Sequence, residues 1–258
     1  MNLKRLFDFR EMRDESKPFL VHLEELRAML IKAVLTLCAT MTLCFVFRSE
    51  IASLVQRPLV LVDPERAANL QSLGVADSFT ISIDLAFYGG IILALPLLLL
   101  FLAEFVLPAL TPREKRMLYP ASAVGFGLFL AGVAFSYFVV LPQTLEFFFN
   151  DARSMHWQPT WTAREYYSFT TQFVISFGLA FELPLAVLLL VKLGIVNYEL
   201  LRRTRPFALV IILVLAAIIT PTSDVITLLL MGAPMYFLYE ICIAISWFMG
   251  RPDGRPPG

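Results

Sequence analysis

Histidine and cysteine are scarce in this chain of 258 residues, which holds only His22, His156, Cys38, Cys44 and Cys242. The two histidines lie far apart, with no cysteine or acidic residue at ligand spacing, so no bound transition metal is expected. All three cysteines fall inside apolar runs, where a thiol behaves as a small hydrophobe, and no disulfide framework follows from them. The sequence also lacks a glycine-rich phosphate loop, a nucleophile elbow and any cluster of His, Asp or Ser at one depth of an apolar segment. Neither enzymatic chemistry nor a cofactor is therefore indicated. Charge is sparse too: 16% of residues are charged, and 21 Lys and Arg balance 21 Asp and Glu. Such a chain makes no global electrostatic claim on nucleic acid, and its charges matter only by position.

What the chain has in abundance is apolar sequence, with 58% hydrophobic residues and a mean hydropathy of +0.73, far above a soluble domain of this size. It reads as an all-α integral membrane protein. Ala28 to Phe47 is an apolar run of 20 residues, enough to span. The basic stretch before it resembles a signal peptide, but the run is too long for an h-region and no small-residue cleavage site follows. Phe79 to Leu107 gives a second span, containing Pro96. Tyr119 to Leu141 gives a third, with Gly125, Gly127 and Gly132 as close-packing positions and Pro142 as its end. Ser168 to Val191 is the fourth; Phe207 to Thr220 supplies only 14 residues for a fifth; and Val225 to Met249, interrupted by Pro234 and Glu240, is the sixth. Short fifth and sixth helices imply a wall that does not cross the full bilayer and leaves a concave face. Arg48 to Ser78 reads as a mixed-charge loop, partly helical, and Gln143 to Tyr167 as an aromatic-rich interfacial loop. The division expected is one membrane domain over 1–258: a basic extension 1–17, a six-helix core 18–249 and a polar tail 250–258.

The distribution of Lys and Arg sets an orientation, because cytoplasmic loops carry the excess. One side gathers fourteen: Lys4, Arg5, Arg10, Arg13, Lys17, Arg27, Arg113, Lys115, Arg116, Arg202, Arg203, Arg205, Arg251 and Arg255. The other keeps five: Arg48, Arg57, Arg66, Arg153 and Arg164, with Lys32 and Lys192 left in span ends. Six helices with both termini cytoplasmic follow.

Within that frame a few acids stand out. In Pro18 to Arg27, Leu20, Leu23 and Leu26 share a helical face with Leu30, while Glu24 and Glu25 point elsewhere. Glu114 sits inside the basic loop Pro108 to Arg116. Glu25 and Glu114 with Arg27 and Arg116 fit ordinary surface ion pairs worth about 0 to 1 kcal/mol each. They also fit a pair of carboxylates offered to two guanidinium groups, for which a carboxylate is the natural bidentate partner. Glu182 lies deep in the fourth span, where an ionisable group costs at least roughly 2.5 kcal/mol and usually marks a pathway or cavity. A hydrogen-bonded Glu in helix packing is the plainer alternative. Glu104 and Glu240 lie nearer span ends, where snorkelling makes them cheap.

Six segments carry a resemblance: Phe19 to Arg27 (FLVHLEELR), Pro108 to Arg116 (PALTPREKR), Phe129 to Pro142 (FLAGVAFSYFVVLP), Phe177 to Pro184 (FGLAFELP), Ile219 to Asp224 (ITPTSD) and Pro234 to Glu240 (PMYFLYE). In this order and spacing they resemble the TatC family, the multispanning receptor subunit of the twin-arginine protein translocase. That resemblance implies a concave six-helix receptor of the cell inner membrane that binds twin-arginine signal peptides of folded substrates. It further implies work with small single-span subunits of TatA and TatB type in an oligomeric complex within the lipid bilayer, driven by the proton-motive force. Glu25 and Glu114 match the acids that bind the paired arginines, and Arg27 and Phe105 match the same recognition surface. Pro58 matches a functional proline of the first outer loop, Glu182 the intramembrane acid, and Asp224 the acid of the last outer loop. The chain departs from the family pattern at Ala28 and Met29, where two basic residues are usual, and at Ala103, where an aromatic is usual. The competing reading is an ion- or proton-coupled small-molecule transporter using Glu182, which calls for inverted repeats and broken midplane helices. Neither is legible in the sequence.

Overall fold

The computed structural model describes residues 17–106, 118–157, 160–192, 196–219 and 225–249. Among them the regular structure is helical, with one isolated bridge between Gln71 and Thr162. The segment Pro18 to Arg27 and the first span are a single helix, α1 (Lys17–Val46), because no proline or glycine follows Pro18 to interrupt it. It packs along α4 (Asp77–Val106), which passes Pro96 without a break. The two approach closely at Gly90, where an added Cβ would lie 3.0 Å from the backbone nitrogen of Met41. Small residues admit such contacts between membrane helices.

Between α1 and α4, the expected partly helical loop forms α2 (Arg48–Val62) and α3 (Pro64–Ala68). Asp63 caps α3, accepting from Arg66 N at 3.2 Å and pairing with Arg66 Nε at 3.1 Å.

Pro142 does not end the third span. Helix α5 (Leu118–Phe135) runs through a π-turn at Ser136–Val140 into α6 (Leu141–Ser154), so the apolar stretch extends over Ser122–Ser154. In the π-turn the Leu141 N–H donates to Ser136 O, five residues back, and Pro142 falls in the first turn of α6, where a missing N–H is harmless. The interfacial loop expected from Gln143 is therefore helical as far as Ser154.

Helix α7 (Ala163–Ala180) begins with a capping box, Thr162 Oγ1 accepting from Glu165 N and Glu165 Oε2 accepting from Thr162 N. It is the post of the fold. Phe169, Phe173 and Phe177 recur every fourth residue, the first pair stacked at a centroid distance of 5.3 Å and the second tilted at 5.0 Å, and Phe135 joins them through Phe177 and Phe181. Phe129, Phe173 and Phe177 are wholly buried. Gly132 is essential to this packing, since a Cβ there would lie 2.7 Å from Phe177 O. Gly127, expected to pack closely, instead has no atom within 4 Å of where a Cβ would stand.

The fourth span is broken at Phe181–Glu182 and resumes as α8 (Leu183–Lys192). Pro184 in the first turn of α8 forbids a continuous ladder there. Then come α9 (Tyr198–Arg203), α10 (Arg205–Ile219) and α11 (Val225–Met249). Helix α10 has 15 residues, short as expected. Helix α11 is not short: it runs 25 residues through Pro234, and its Thr227–Trp247 stretch is long and apolar enough to cross. The expectation of a short sixth helix is thus corrected, because Pro234 interrupts neither its helicity nor its length. Among the described residues five helical stretches reach spanning length, and Arg205–Ile218 is a shorter apolar sixth. The protein is a membrane protein.

Candidate functional site

Glu25, Ala28, Met29 and Lys32 fall at i, i+3, i+4 and i+7, so they form one face of α1. Opposite them α4 presents Phe101 and Phe105, one turn apart, and together the six line a depression of about 210 Å³. Lys32 Nζ stands 5.8 Å from the centroid of the Phe101 ring, within cation–π range. The depression thus combines an exposed carboxylate, an ammonium and two aromatic walls, which suits a cationic peptide with apolar neighbours. Two of its lining residues, Ala28 and Met29, are the positions where basic residues would be usual in the family the sequence resembles.

Sequence reasoning singled out Glu25 and Phe105 but missed Lys32 and Phe101; the i, i+7 spacing of Lys32 from Glu25 was the available signal. Arg27 is exposed on α1 and does not line the depression, since two residues turn the helix by about 200°. Glu114 and Asp224 lie outside the described residues.

Glu182 occupies a different level. Its Oε2 lies 3.1 Å from where a Cβ of Gly125 would stand, beside Leu99 Cδ1 and Leu185 Cδ2, so the missing side chain at Gly125 makes room for the carboxyl. Both oxygens are buried without a hydrogen-bond partner among the described residues. Leu99 precedes Phe101 by two residues and Phe105 by six on α4, which sets the level of Glu182 about 3 to 9 Å along that helix from the two aromatic walls of the depression. An orphaned carboxyl in a helix break is an unmade bond, and a buried group of that kind costs about 1 to 3 kcal/mol until a donor arrives. The break is unpaired: α4, in the other half, passes its own proline intact, so the inverted pair of broken helices that a small-molecule transporter calls for is not found among the described residues.

Pro58 is buried within α2. Glu25 precedes the end of α1 by about twenty residues, or roughly 30 Å of helix, and α2 begins beyond that end. Glu240, read as a cheap span-end acid, has two partners: Arg205 Nη2 at 2.8 Å and the Tyr236 hydroxyl, which donates at 2.9 Å. This pair ties α11 to the start of α10. Nearby, the Tyr239 hydroxyl donates to Leu201 O at 2.9 Å and holds α9.

The model of the TatC family, Sec-independent protein translocase protein, matches residues 21–234. The chain is 48% identical over 177 residues to the Sec-independent protein translocase protein TatC of Akkermansia muciniphila, covering 69% of this chain and 51% of that protein. It therefore spans about half of that relative's length. It is 37% identical to the TatC of Deinococcus radiodurans, covering 90% of this chain and 86% of the relative. It is 34% identical to that of Escherichia coli K12, covering 94% and 93%. A crystal structure of the twin-arginine translocase receptor TatC in DDM superposes with a TM-score of 0.79 at 33% identity, covering 87% of this chain and 99% of that one.

Proposed function

The chain belongs to the TatC family of Sec-independent protein translocase proteins, and from that premise we propose that it receives twin-arginine signal peptides at the α1–α4 depression. The observation that carries this reading is the convergence of Glu25 with Phe101 and Phe105 around one concavity. A guanidinium group pairs with a carboxylate through two parallel hydrogen bonds, and the aromatic walls accept the flanking apolar residues or a stacked second guanidinium. Glu114 supplies the second carboxylate, and Arg27, outside the depression, serves recognition from another face of α1. Both termini face the cytoplasm, six helices cross the inner membrane, and the proton-motive force drives the passage of folded cargo together with single-span TatA and TatB partners. Pro58, Glu182 and Asp224 serve transport and partner contact. Glu182 offers its two unpartnered oxygens to a donor on an arriving helix.

Replacing both Glu25 and Glu114 by Ala is expected to abolish photo-crosslinking of a twin-arginine peptide to membranes in which the protein is still inserted. Crosslinking at the unmutated level would refute the assignment. The topology is tested by single cysteines at Asp63, Trp157 and Arg203 on a background without the native three. An impermeant thiol reagent added outside should label the first two and spare the third, and outside labelling at Arg203 would overturn the orientation.

A further inference from the structure

Helix α2 is fastened at its backbone by side-chain hydroxyls. Tyr137 donates to the Leu54 carbonyl at 2.6 Å, Tyr166 to Val55 at 2.8 Å and Tyr167 to Ala52 at 3.3 Å. In an α-helix the carbonyl of residue i accepts from the N–H of residue i+4. Ala52 and Val55 therefore have helical donors in Gln56 and Leu59. Leu54 has none, because its donor would be residue 58, and Pro58 carries no N–H. The shortest of the three tyrosine bonds falls on the one carbonyl that the proline leaves open. Its donor, Tyr137, stands in the π-turn Ser136–Val140. Such a turn adds a residue to one helical round and re-aims the side chains within it, which is why π-turns recur at functional places.

We propose that Tyr137 is a positioning residue: it completes the hydrogen bonding that Pro58 opens in α2, and the pair fixes α2 as one wall of the groove it forms with α4, α5 and α7. That groove, about 350 Å³, is lined by Ile51, Leu54 and Val55 of α2 and by Tyr137 itself. Pro58 acts through the carbonyl it frees, and the π-turn acts by bringing the hydroxyl to it. This assignment goes beyond arginine recognition at Glu25 and stands whether or not that recognition holds.

The relation between the two residues is open to a mutant cycle on the full chain in detergent micelles, read by amide hydrogen exchange over residues 48–62. Tyr137→Phe keeps the ring and its edge contact with Phe138 but orphans the Leu54 carbonyl, so exchange in α2 should rise roughly fivefold or more. In Pro58→Ala the new N–H takes that carbonyl, and adding Tyr137→Phe should then change exchange less than half as much. Tyr167→Phe is the control: Ala52 keeps its helical donor on either background, so Pro58→Ala should not suppress its effect. If Tyr137→Phe alone fails to accumulate, the double variant should restore accumulation. Equal effects of Tyr137→Phe on the two backgrounds, no effect on the first, or a double variant that accumulates no better than the single would each overturn the proposal.

Discussion

Helix α1 and the fourth span, which runs from α7 through the break into α8, are both long and apolar, yet 6% of the most apolar stretch of the first is buried inside the molecule against 39% of the second. Helix α7 is surrounded, with its phenylalanine ladder in a core shared with the π-turn, α6, α10 and α11 and its Ile175 clustered with Leu95 of α4. Helix α1 leans on α4 along one face and offers the rest to lipid or to partners, with Leu30, Val34, Leu35 and Leu43 all exposed. Water does not penalise these side chains in a bilayer, so an unpacked span is stable there in a way that it would not be in a soluble protein. The difference teaches where this protein keeps its rigidity and where it keeps its contacts. The candidate recognition depression is built on the least covered span, and the buried orphan carboxyl of Glu182 lies at the break in the most covered one.

The strongest way to test that division is to remove Phe177. It has no exposure and touches Phe135 and Phe173, so Phe177→Ala should destabilise the protein by about 3–5 kcal/mol, seen as a lowered thermal midpoint in detergent or as failure to accumulate. A wild-type midpoint would show that α7 is not the post of the fold. Next comes Glu182. Glu182→Ala removes both oxygens from the buried niche at Gly125 and should lower export of a reporter roughly tenfold, while Glu182→Gln keeps a donor and an acceptor there and should retain most of it. Twin-arginine peptide binding should survive in both, since the depression lies elsewhere. If Gln were as inactive as Ala, ionisation would be the needed property and a proton relay would replace partner bonding; full activity of Ala would make Glu182 a packing residue.

A smaller effect belongs to the pair that ties the start of α10 to α11. Glu240→Ala breaks the pair with Arg205, whose side chains are 33% and 40% exposed, so the expected loss is about 1 kcal/mol, reduced further by added salt. A loss several times larger, insensitive to salt, would place the pair in a dry environment. Smallest of all should be Leu35→Ala on α1, at 65% exposure, with a shift within about 0.5 kcal/mol. A large shift there would mean that α1 is covered by something in the membrane, such as a second copy or a partner span, and would erase the contrast with α7.

The apolar runs and their order were legible in the linear pattern, with Phe105 and Glu182 inside them, Glu25 just ahead of the first and Pro58 in the loop that follows it. Hydropathy over about 20 residues is a strong signal because the bilayer thickness demands it. Breaks were less legible. Pro142 looked like a helix end and Pro234 like an interruption, and neither breaks its helix, whereas Pro184 accompanies a real break. A proline stops a helix only where the freed carbonyl finds no other donor and the ring finds no room, and those are facts about neighbours. Gly127 and Gly132 read alike as close-packing positions, but only Gly132 faces Phe177.

The sequence by itself determined that this chain lives in a membrane, that its spans follow in this order and that it belongs to the TatC family, because hydrophobic length and ordered motifs are local properties. Tertiary structure alone decided which side chains meet. The i, i+7 face of α1 becomes a depression only when α4 brings Phe101 and Phe105 against it, and the carboxyl of Glu182 is orphaned only because Gly125 opens a niche for it. Arg205 meets Glu240 across 35 residues, and Tyr137 reaches Leu54 across 83. Contacts at such separations depend on helix packing and on a π-turn that shifts the register by one residue, and no pattern read along a single segment carries that information.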